Sequence, residues 1–186
     1  MEEHNEATLA LANASWFNEM IDSGVISETR MASKSDSLHY VIGKGSPFHF
    51  RFGVGFKKEQ DKTLVAAIWC GENATNMGGK VQGGAISSIF DALTASVGSI
   101  KFEPMAFGTT KSIEVKFLSP TPLKTVLRFK VITSNFNENT GEGIVEAELS
   151  DGNTGKKYAS CTAHMVDIKR RRNWKKNHPR ERKSKL

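Results

Sequence analysis

Residues 76–100 read NMGGKVQGGAISSIFDALTASVGSI, a glycine-rich loop that leads into an apolar segment of helical period. Counted at 100° per residue, the large apolar side chains fall on one stripe, which is wide enough to lie on a sheet: Ile86, Ile89, Phe90, Leu93 and Val97. The opposite side carries small residues and one acid: Gly84, Ser87, Ser88, Asp91, Thr94, Ala95 and Gly98. Small side chains let a second backbone or a ligand come close. The sequence therefore predicts a helix with a sheet on one face and another partner on the other.

Asp91 is the only charged residue between Val81 and Ile100. Burial of a carboxylate costs free energy unless the group is paired or used in chemistry. A single aspartate in a helix is more often solvated, but the small and apolar neighbours of Asp91 favour a functional role.

Alternating apolar and polar residues predict strands on both sides of the helix. Four segments alternate, at 49–56, 109–118, 126–132 and 142–149, and the segments at 63–70 and 158–168 are predicted as two further strands. In the segment at 109–118, Ile113, Val115 and Phe117 share one face, and a turn cluster at 135–141 follows the segment at 126–132. Residues 6–23 have helical spacing, and the segment at 25–47 is irregular. The sequence predicts an α+β domain with one long helix against an antiparallel sheet of five or six strands.

Composition narrows the class of protein. A chain of 186 residues suits one domain with a sizeable core, and no apolar run is long enough to span a membrane. The acidic first residues do not resemble a secretory signal or a mitochondrial presequence. Cys70 and Cys161 lie in apolar, strand-like runs and indicate buried thiols in a reducing compartment. The five histidines form no metal-ligand spacing with another Cys or His.

Three familiar motifs are missing from the sequence. There is no Gly-x-x-x-x-Gly-Lys-Ser/Thr phosphate loop, and no Gly-x-Ser-x-Gly elbow of a serine hydrolase. Residues 53–55 read Gly-Val-Gly but lack the third glycine of a dinucleotide fingerprint and lie in a predicted strand. The glycines at 78, 79, 83 and 84 therefore need another explanation.

The combined pattern resembles the hotdog-fold acyl-CoA thioesterases, and is most similar to the small class that includes the phenylacetyl-CoA thioesterases. Val81-Gln-Gly-Gly-Ala-Ile followed by Asp91 is similar to the His-Gly-Gly…Asp signature of that superfamily. Residues 108–120 resemble its third strand and residues 155–165 its last strand. The resemblance covers roughly residues 50–168. It implies a long central helix wrapped by an antiparallel sheet, and hydrolysis of acyl-CoA to free acid and CoA.

The resemblance also implies roles for four residues. Asp91 matches the catalytic carboxylate, which acts as general base on water or as nucleophile. The backbone N–H of Gly83 would bind the thioester carbonyl oxygen, because a free amide at the positive end of a helix stabilises negative charge there. Asn76 would help to hold the same carbonyl, and Thr110 would help to place the water.

Around these residues, the resemblance implies substrate contacts at Gln82, Gly84 and Ser87. Gln82 stands where the family usually has a histidine, and glutamine cannot titrate, so any proton transfer by that histidine is absent here. No metal or redox cofactor is implied. CoA phosphates need basic partners near the mouth of the site, for which the sequence offers only candidates: Lys57, Lys58, Lys80 and Lys101.

The resemblance also implies partners and boundaries. In relatives the glycine loop comes from one subunit and the carboxylate from the other, which implies a homodimer; a homotetramer of paired dimers is a family expectation. We expect an N-terminal helix and irregular lead-in at 1–47, a thioesterase domain at 48–168 and a basic tail at 169–186.

The tail is strongly basic. Residues 169–186 hold ten Lys and Arg and one acid, which leaves sixteen basic and nineteen acidic residues in the rest of the chain. The overall charge of +6 therefore describes a mildly acidic domain with a basic tail. Ser184, Lys185 and Leu186 match a peroxisomal address that an import receptor reads. The sequence predicts a peroxisome, or a related organelle such as a glycosome, where acyl-CoA lipid metabolism needs thioesterases.

Two alternatives stay open. A hotdog protein with Gln82 would bind acyl-CoA without releasing thiol. Alternatively, the basic tail would bind nucleic acid, with an affinity that depends strongly on salt and vanishes when residues 169–186 are removed. The acyl group is not determined by the sequence, because it depends on the shape of the site.

Overall fold

A computed structural model describes residues 2–29, 48–56, 62–101 and 108–177 of the chain. Within these ranges the helices are α1 (Glu2–Ala12), α2 (Ser15–Asp22), α3 (Gly83–Lys101) and α4 (Ile168–Asn177). The strands are β1 (Ile26–Thr29), β2 (Phe48–Phe56), β3 (Lys62–Cys70), β4 (Gly108–Phe117), β5 (Val126–Asn137), β6 (Glu142–Asp151) and β7 (Lys157–Asp167).

The strands form one antiparallel sheet in the order β1-β2-β3-β5-β6-β7-β4. The six predicted strands are all present, and the short β1 adds a seventh from the segment predicted to be irregular. Strand β4 pairs only with β7, so within the described residues its other side is an open edge. A register shift between Thr110 and Ser112 marks a bulge near the start of this edge strand.

The central helix α3 packs on one face of the sheet, as predicted. The five side chains of its apolar stripe are between 0 and 3% exposed. They join a core that includes alternate residues of β3, β5, β6 and β7, and the ring of Phe90 lies 6.1 Å from that of Phe129. Each large side chain that is fully buried contributes about 1.5–3 kcal/mol, so this stripe fixes α3 on the sheet.

A second core lies on the other face of the sheet. Strand β3 is buried on both sides: Leu64, Ala66 and Ile68 join the α3 core, whereas Val65, Ala67 and Trp69 contact α1 and α2. Helices α1 and α2 cover that face with side chains that include Trp16 and Phe17. We call this second cluster the N-terminal layer: Ala7, Leu11, Ala14, Trp16, Phe17, Ile26, Val65, Ala67 and Trp69.

Two local predictions were wrong. The single helix predicted at 6–23 is broken at Asn13 and Ala14, and the Asn18 amide group donates to the carbonyl of Ala12 at 3.0 Å where α1 ends. Residues 135–137, predicted as turn, belong to β5 because they pair with residues 142–144 of β6. The pairing overrides an asparagine-rich composition, since Phe136 packs its ring against the Cα of Gly143.

Part of the predicted basic tail is a helix. Asp167 caps it, because its Oδ1 accepts hydrogen bonds from the backbone N–H groups of Lys169 (2.9 Å) and Arg170 (3.0 Å). Residues 178–186, including the predicted address at Ser184, Lys185 and Leu186, lie outside the described residues.

Candidate active site

The glycine-rich loop is organised around Asn76. Its side-chain Oδ1 accepts hydrogen bonds from the backbone N–H groups of Gly78 (2.9 Å) and Lys80 (3.1 Å), and its own backbone N–H donates to the carbonyl of Lys80 (2.8 Å). Gly79 has a φ of 67°, which glycine adopts without strain. The amide oxygen of Asn76 therefore shapes the loop, and its Nδ2 group is the part that is left to contact a ligand.

Helix α3 starts at the end of this loop. The backbone N–H of Gln82 donates to the carbonyl of Ala74 at 2.8 Å, and its carbonyl accepts from Ile86 at 3.1 Å. The amides of Gly83, Gly84 and Ala85 are first-turn donors that have no intrahelical acceptor. Within the described residues no other group accepts from them. They form a set of fixed donors at the positive end of the helix, the arrangement that stabilises an oxyanion.

A groove of about 710 Å³ opens at this helix start. Its walls come from the loop at 76–81, from Gly83 and Ile86, and from residues 117–121 that follow β4. Three apolar side chains on these walls are exposed: Met77 fully, Phe117 by 56% and Leu118 by 54%. Apolar walls with a few backbone donors are typical of small-molecule sites.

Phe117 explains why residue 83 is a glycine. A Cβ on Gly83 would lie 3.3 Å from Cζ of Phe117, closer than most side-chain contacts allow. The missing side chain lets the ring approach the free amide. The alternating pattern groups Phe117 with Ile113 and Val115 and does not predict its place in the groove. The signal in the sequence is its position just before the Ser-Pro break at 119–120.

The residues predicted to contact the substrate gather at the helix start. Gln82 and Gly84 are exposed and Ser87 is half-buried, with its hydroxyl donating to the carbonyl of Gly83 at 3.0 Å. The Gln82 side chain turns back over Gly84, where an added Cβ would lie 3.2 Å from its Oε1. The structure thus brings these three residues together with Gly83 around the start of α3.

Asp91 lies eight residues after Gly83 on the same helix, about 12 Å along the axis at 1.5 Å per residue. A carboxylate on a straight helix therefore cannot reach a carbonyl held by the amide of its own Gly83. Asp91 is also exposed in the single chain, so a dry environment for this carboxylate would require a second copy of the chain. Burial of the Cys161 thiol raises its pKa to about 12, with a smaller contribution from the negative charge of Asp91.

Thr110 is likewise remote from the groove of its own chain. It is half-buried near the start of β4, seven residues before Phe117, and its hydroxyl lies 3.9 Å from the sulfur of Met165. Seven residues of a strand span about 23 Å. Of the four predicted catalytic residues, one chain brings Asn76 and Gly83 to the groove and leaves Asp91 and Thr110 away from it.

The four lysines that the sequence offers for contacts with CoA phosphates lie in different parts of the chain. Lys80 lines the groove. Lys57 and Lys58 lie outside the described residues, and Lys101 is the last residue of α3, about 27 Å from the helix start at 1.5 Å per residue.

Several solved structures are similar to this chain, and some of them are described as hypothetical thioesterases. A hypothetical thioesterase from Streptococcus pneumoniae TIGR4, solved with coenzyme A, is 16% identical; the match covers 64% of this chain and 89% of that one, with a TM-score of 0.52. The PaaI protein of the E. coli phenylacetic acid degradation operon is 14% identical over 85% of this chain and 96% of its own, with a TM-score of 0.55. This chain has a hotdog fold. The predicted fold is therefore confirmed.

A third solved structure is similar to this chain. A Streptococcus mutans UA159 protein bound to acetyl CoA is 15% identical, and the match covers 62% of this chain and 86% of that one with a TM-score of 0.50. No protein-family model matches the sequence, and no curated protein matches it significantly. At this level of identity, the hotdog fold is what the comparisons establish for the chain.

The described residues show neither a metal-binding cluster nor a helix that could span a membrane. In the part of the chain that the structure describes, no three His, Cys, Asp or Glu side chains come together in a group able to hold a metal ion. None of the described helices combines the length and hydropathy that a membrane span requires.

Proposed function

We propose that this hotdog protein hydrolyses acyl-CoA thioesters at a site that two copies of the chain share. The observation that carries the proposal is the set of free amides at the start of α3, of which Gly83 lines an apolar groove. A thioester carbonyl needs such donors when its oxygen gains charge, and an acyl or pantetheine chain needs apolar walls. The coenzyme A and acetyl CoA bound to two proteins of the same fold support this substrate class.

The geometry of one chain supports a dimer. Asp91 is about 12 Å from Gly83 along α3, so a second copy must supply the carboxylate. The open edge of β4 offers a place for that copy, because two antiparallel edge strands pair by backbone hydrogen bonds. The small side of α3, where Ser87, Ser88 and Ala95 are only half-buried, supports close approach of a second helix. A tetramer of paired dimers stays a prediction.

In the proposed reaction the Gly83 amide and the Asn76 Nδ2 group donate to the thioester oxygen. Asp91 of the second copy takes a proton from a water molecule, and the water oxygen adds to the carbonyl carbon. The C–S bond then breaks, and the proton held by Asp91 passes to the leaving thiolate. Thr110 would orient the water. Direct attack by Asp91, followed by hydrolysis of the resulting anhydride, gives the same products.

Asp91→Asn tests the chemistry, because amide and carboxylate have nearly the same shape but asparagine is no base. We expect thiol release from a panel of short, long and aromatic acyl-CoA esters to fall by at least about a hundredfold, the usual range for a positioned general base. The control is Glu19→Gln, an exposed acid on α2, away from both the groove and β4. Undiminished thiol release by Asp91→Asn, with the dimer intact by size-exclusion chromatography, would refute the mechanism.

A non-catalytic acyl-CoA binder is the second candidate. Gln82 favours it, since this residue cannot titrate where the family usually has a histidine. This candidate predicts that calorimetry detects binding of acyl-CoA while a thiol-trapping assay detects no CoA release. Thiol release by the wild-type chain that disappears in Asp91→Asn excludes it.

Localisation stays a prediction that rests on Ser184, Lys185 and Leu186. We propose a peroxisome or a related organelle, on the condition that Leu186 carries the free carboxyl end. A fluorescent fusion at the N-terminus should give a punctate pattern in cells, and removal of Leu186 should make it diffuse. A pattern that does not change on removal of Leu186 would exclude this address.

A further inference from the structure

The helix α4 has two unlike faces. On the face toward the domain, Arg170 contacts Asp167 (Nε to Oδ2, 3.3 Å) and Glu138 (3.8 Å), and Arg171 contacts Glu142 (3.1 Å). Both arginines are half-buried. These ion pairs, together with the cap at Asp167, hold α4 in a fixed orientation at the end of β7.

The other face of α4 carries a stripe of free cations. Lys169, Arg172 and Lys176 are spaced by three and four residues, so they point to one side and span about 10 Å. All three are exposed, and in the described part of the chain no carboxylate lies within ion-pair distance of them. We call these three residues the α4 stripe. The stripe is rigidly mounted and unneutralised, as a site for phosphate groups would be.

Within one chain, the α4 stripe is far from the groove. Strand β7 ends at Asp167, which pairs with Gly108 at the start of β4, and α4 follows directly. The groove lies at the opposite end of β4, where Phe117 covers Gly83. The nine steps of β4 between these ends span about 30 Å, so α4 cannot serve the groove of its own chain.

Antiparallel pairing of two copies removes this separation. When the open edges of two β4 strands pair, the start of one strand, with its β7 and α4, lies beside the end of the other strand. The α4 stripe of one copy is then at the mouth of the groove of the other copy. This is the same copy that must supply Asp91 to that groove.

We infer that the α4 stripe binds the phosphate groups of the CoA whose thioester lies in the groove of the other subunit. The inference rests on the proposed function. The apolar walls receive the acyl and pantetheine parts, whereas the diphosphate and the 3′-phosphate lie outside, where Lys169, Arg172 and Lys176 meet them. One subunit thus provides the loop and helix start, and the other provides both the carboxylate and the phosphate contacts.

Calorimetry with CoA, 3′-dephospho-CoA and pantetheine tests the inference without any need for turnover. In the triple variant Lys169→Gln, Arg172→Gln, Lys176→Gln, the Kd of CoA should rise about tenfold, because exposed ion pairs each contribute modestly. The Kd of pantetheine should not change. The matched control exchanges the charges without loss (Lys169→Arg, Arg172→Lys, Lys176→Arg), and Lys130→Gln removes a charge on β5; both should bind CoA like the wild type.

Mixed dimers test whether the contact crosses the subunit boundary. A dimer of one Asp91→Asn subunit and one triple-variant subunit, purified with two affinity tags, has one active groove, whose Asp91 comes from the triple variant. If α4 acts on the other subunit, the KM for phenylacetyl-CoA, or for the best ester of the panel, should be raised about tenfold as in the triple variant. A wild-type KM in this mixed dimer would place α4 at its own groove and overturn the inference.

The two proposals fail in different ways. A wild-type protein that binds CoA but releases no thiol from any acyl-CoA or acyl-N-acetylcysteamine ester overturns hydrolysis, and calorimetry still reports on the stripe. An unchanged Kd of CoA in the triple variant overturns the inference alone. If the triple variant loses affinity only for a duplex DNA and not for CoA, the stripe is a nucleic-acid site and the inference is also wrong.

Discussion

Two apolar clusters of this molecule differ in how far they are closed. In the N-terminal layer Phe17 and Trp69 are 0% exposed, whereas at the groove Phe117 and Leu118 are more than half exposed and Met77 is fully so. Side chains of similar size and hydropathy therefore have opposite surroundings in the same chain. Apolar side chains that the chain covers itself add to its stability. The exposed apolar side chains at the groove become buried only when a ligand or a second copy covers them.

Phe17→Ala is expected to have the largest effect on stability. Removal of a fully buried ring leaves a cavity between α2 and β3, and such truncations cost about 3–5 kcal/mol. Urea unfolding followed by circular dichroism measures the loss. Leu9→Ala, on the exposed side of α1, is the control and should stay within about 0.5 kcal/mol of the wild type. Equal losses of stability in both variants would mean that the buried Phe17 contributes no more than the exposed Leu9, and would contradict this prediction.

Asn76→Asp separates two roles of the loop. The carboxylate keeps the acceptor for the Gly78 and Lys80 amides, so the loop should stay folded and the urea midpoint unchanged. It cannot donate to a carbonyl oxygen, and loss of such a donor reduces kcat by about a hundredfold or more. Steady-state thiol release measures the effect. If kcat is retained in Asn76→Asp but lost in Asn76→Ala, Asn76 only shapes the loop.

Gly152→Ala probes the closed cluster at a single point. An added Cβ would overlap the indole ring of Trp16, whose Nε1 is buried without a partner in the described structure. The ring must shift, and overpacking of this kind costs about 1–3 kcal/mol. Asn153 in the same turn is exposed, and Asn153→Ala keeps the hydrogen bond from the backbone N–H of residue 153 to Oδ1 of Asp151. This control should leave the free energy of unfolding unchanged. A neutral Gly152→Ala would show that Trp16 has room to move.

Periodicity predicted the parts of the fold that each segment determines by itself. The stripe from Ile86 to Val97 and the alternating strands each bury one face, so their patterns are visible in one dimension. Strand β1 and the end of β5 depend on pairing with distant residues, and the break at Ala14 accompanies the packing of α1 and α2 against β3; no local pattern records either. The cap at Asp167 had a local signal, because this aspartate comes just before a basic run. That run was interpreted only through its charge, so the helix was not predicted.

The residues of the candidate site also differ in how far the sequence predicted them. Asn76, Gly83 and their loop were found from a short motif, because the loop and the helix start are contiguous in the chain. The groove position of Phe117 was not predicted, because alternation only groups it with Ile113 and Val115, whereas the end of an edge strand leaves it exposed beside Gly83. The position of Asp91 relative to the groove was not visible in the motif, because the carboxylate is exposed in the single chain and lies eight residues after Gly83 on the same helix.

Phe117→Ala repeats the Phe17 truncation in the open cluster and should have the smallest effect on stability. Because the ring is already 56% exposed, we expect the free energy of unfolding to change by less than about 1 kcal/mol. The lost contact should instead appear as a roughly tenfold higher KM for acyl-CoA, which corresponds to about 1.4 kcal/mol of binding. Phe117→Leu keeps an apolar wall and should restore most of the affinity. A large loss of stability with unchanged KM would place Phe117 in the closed class and remove the contrast between the two clusters.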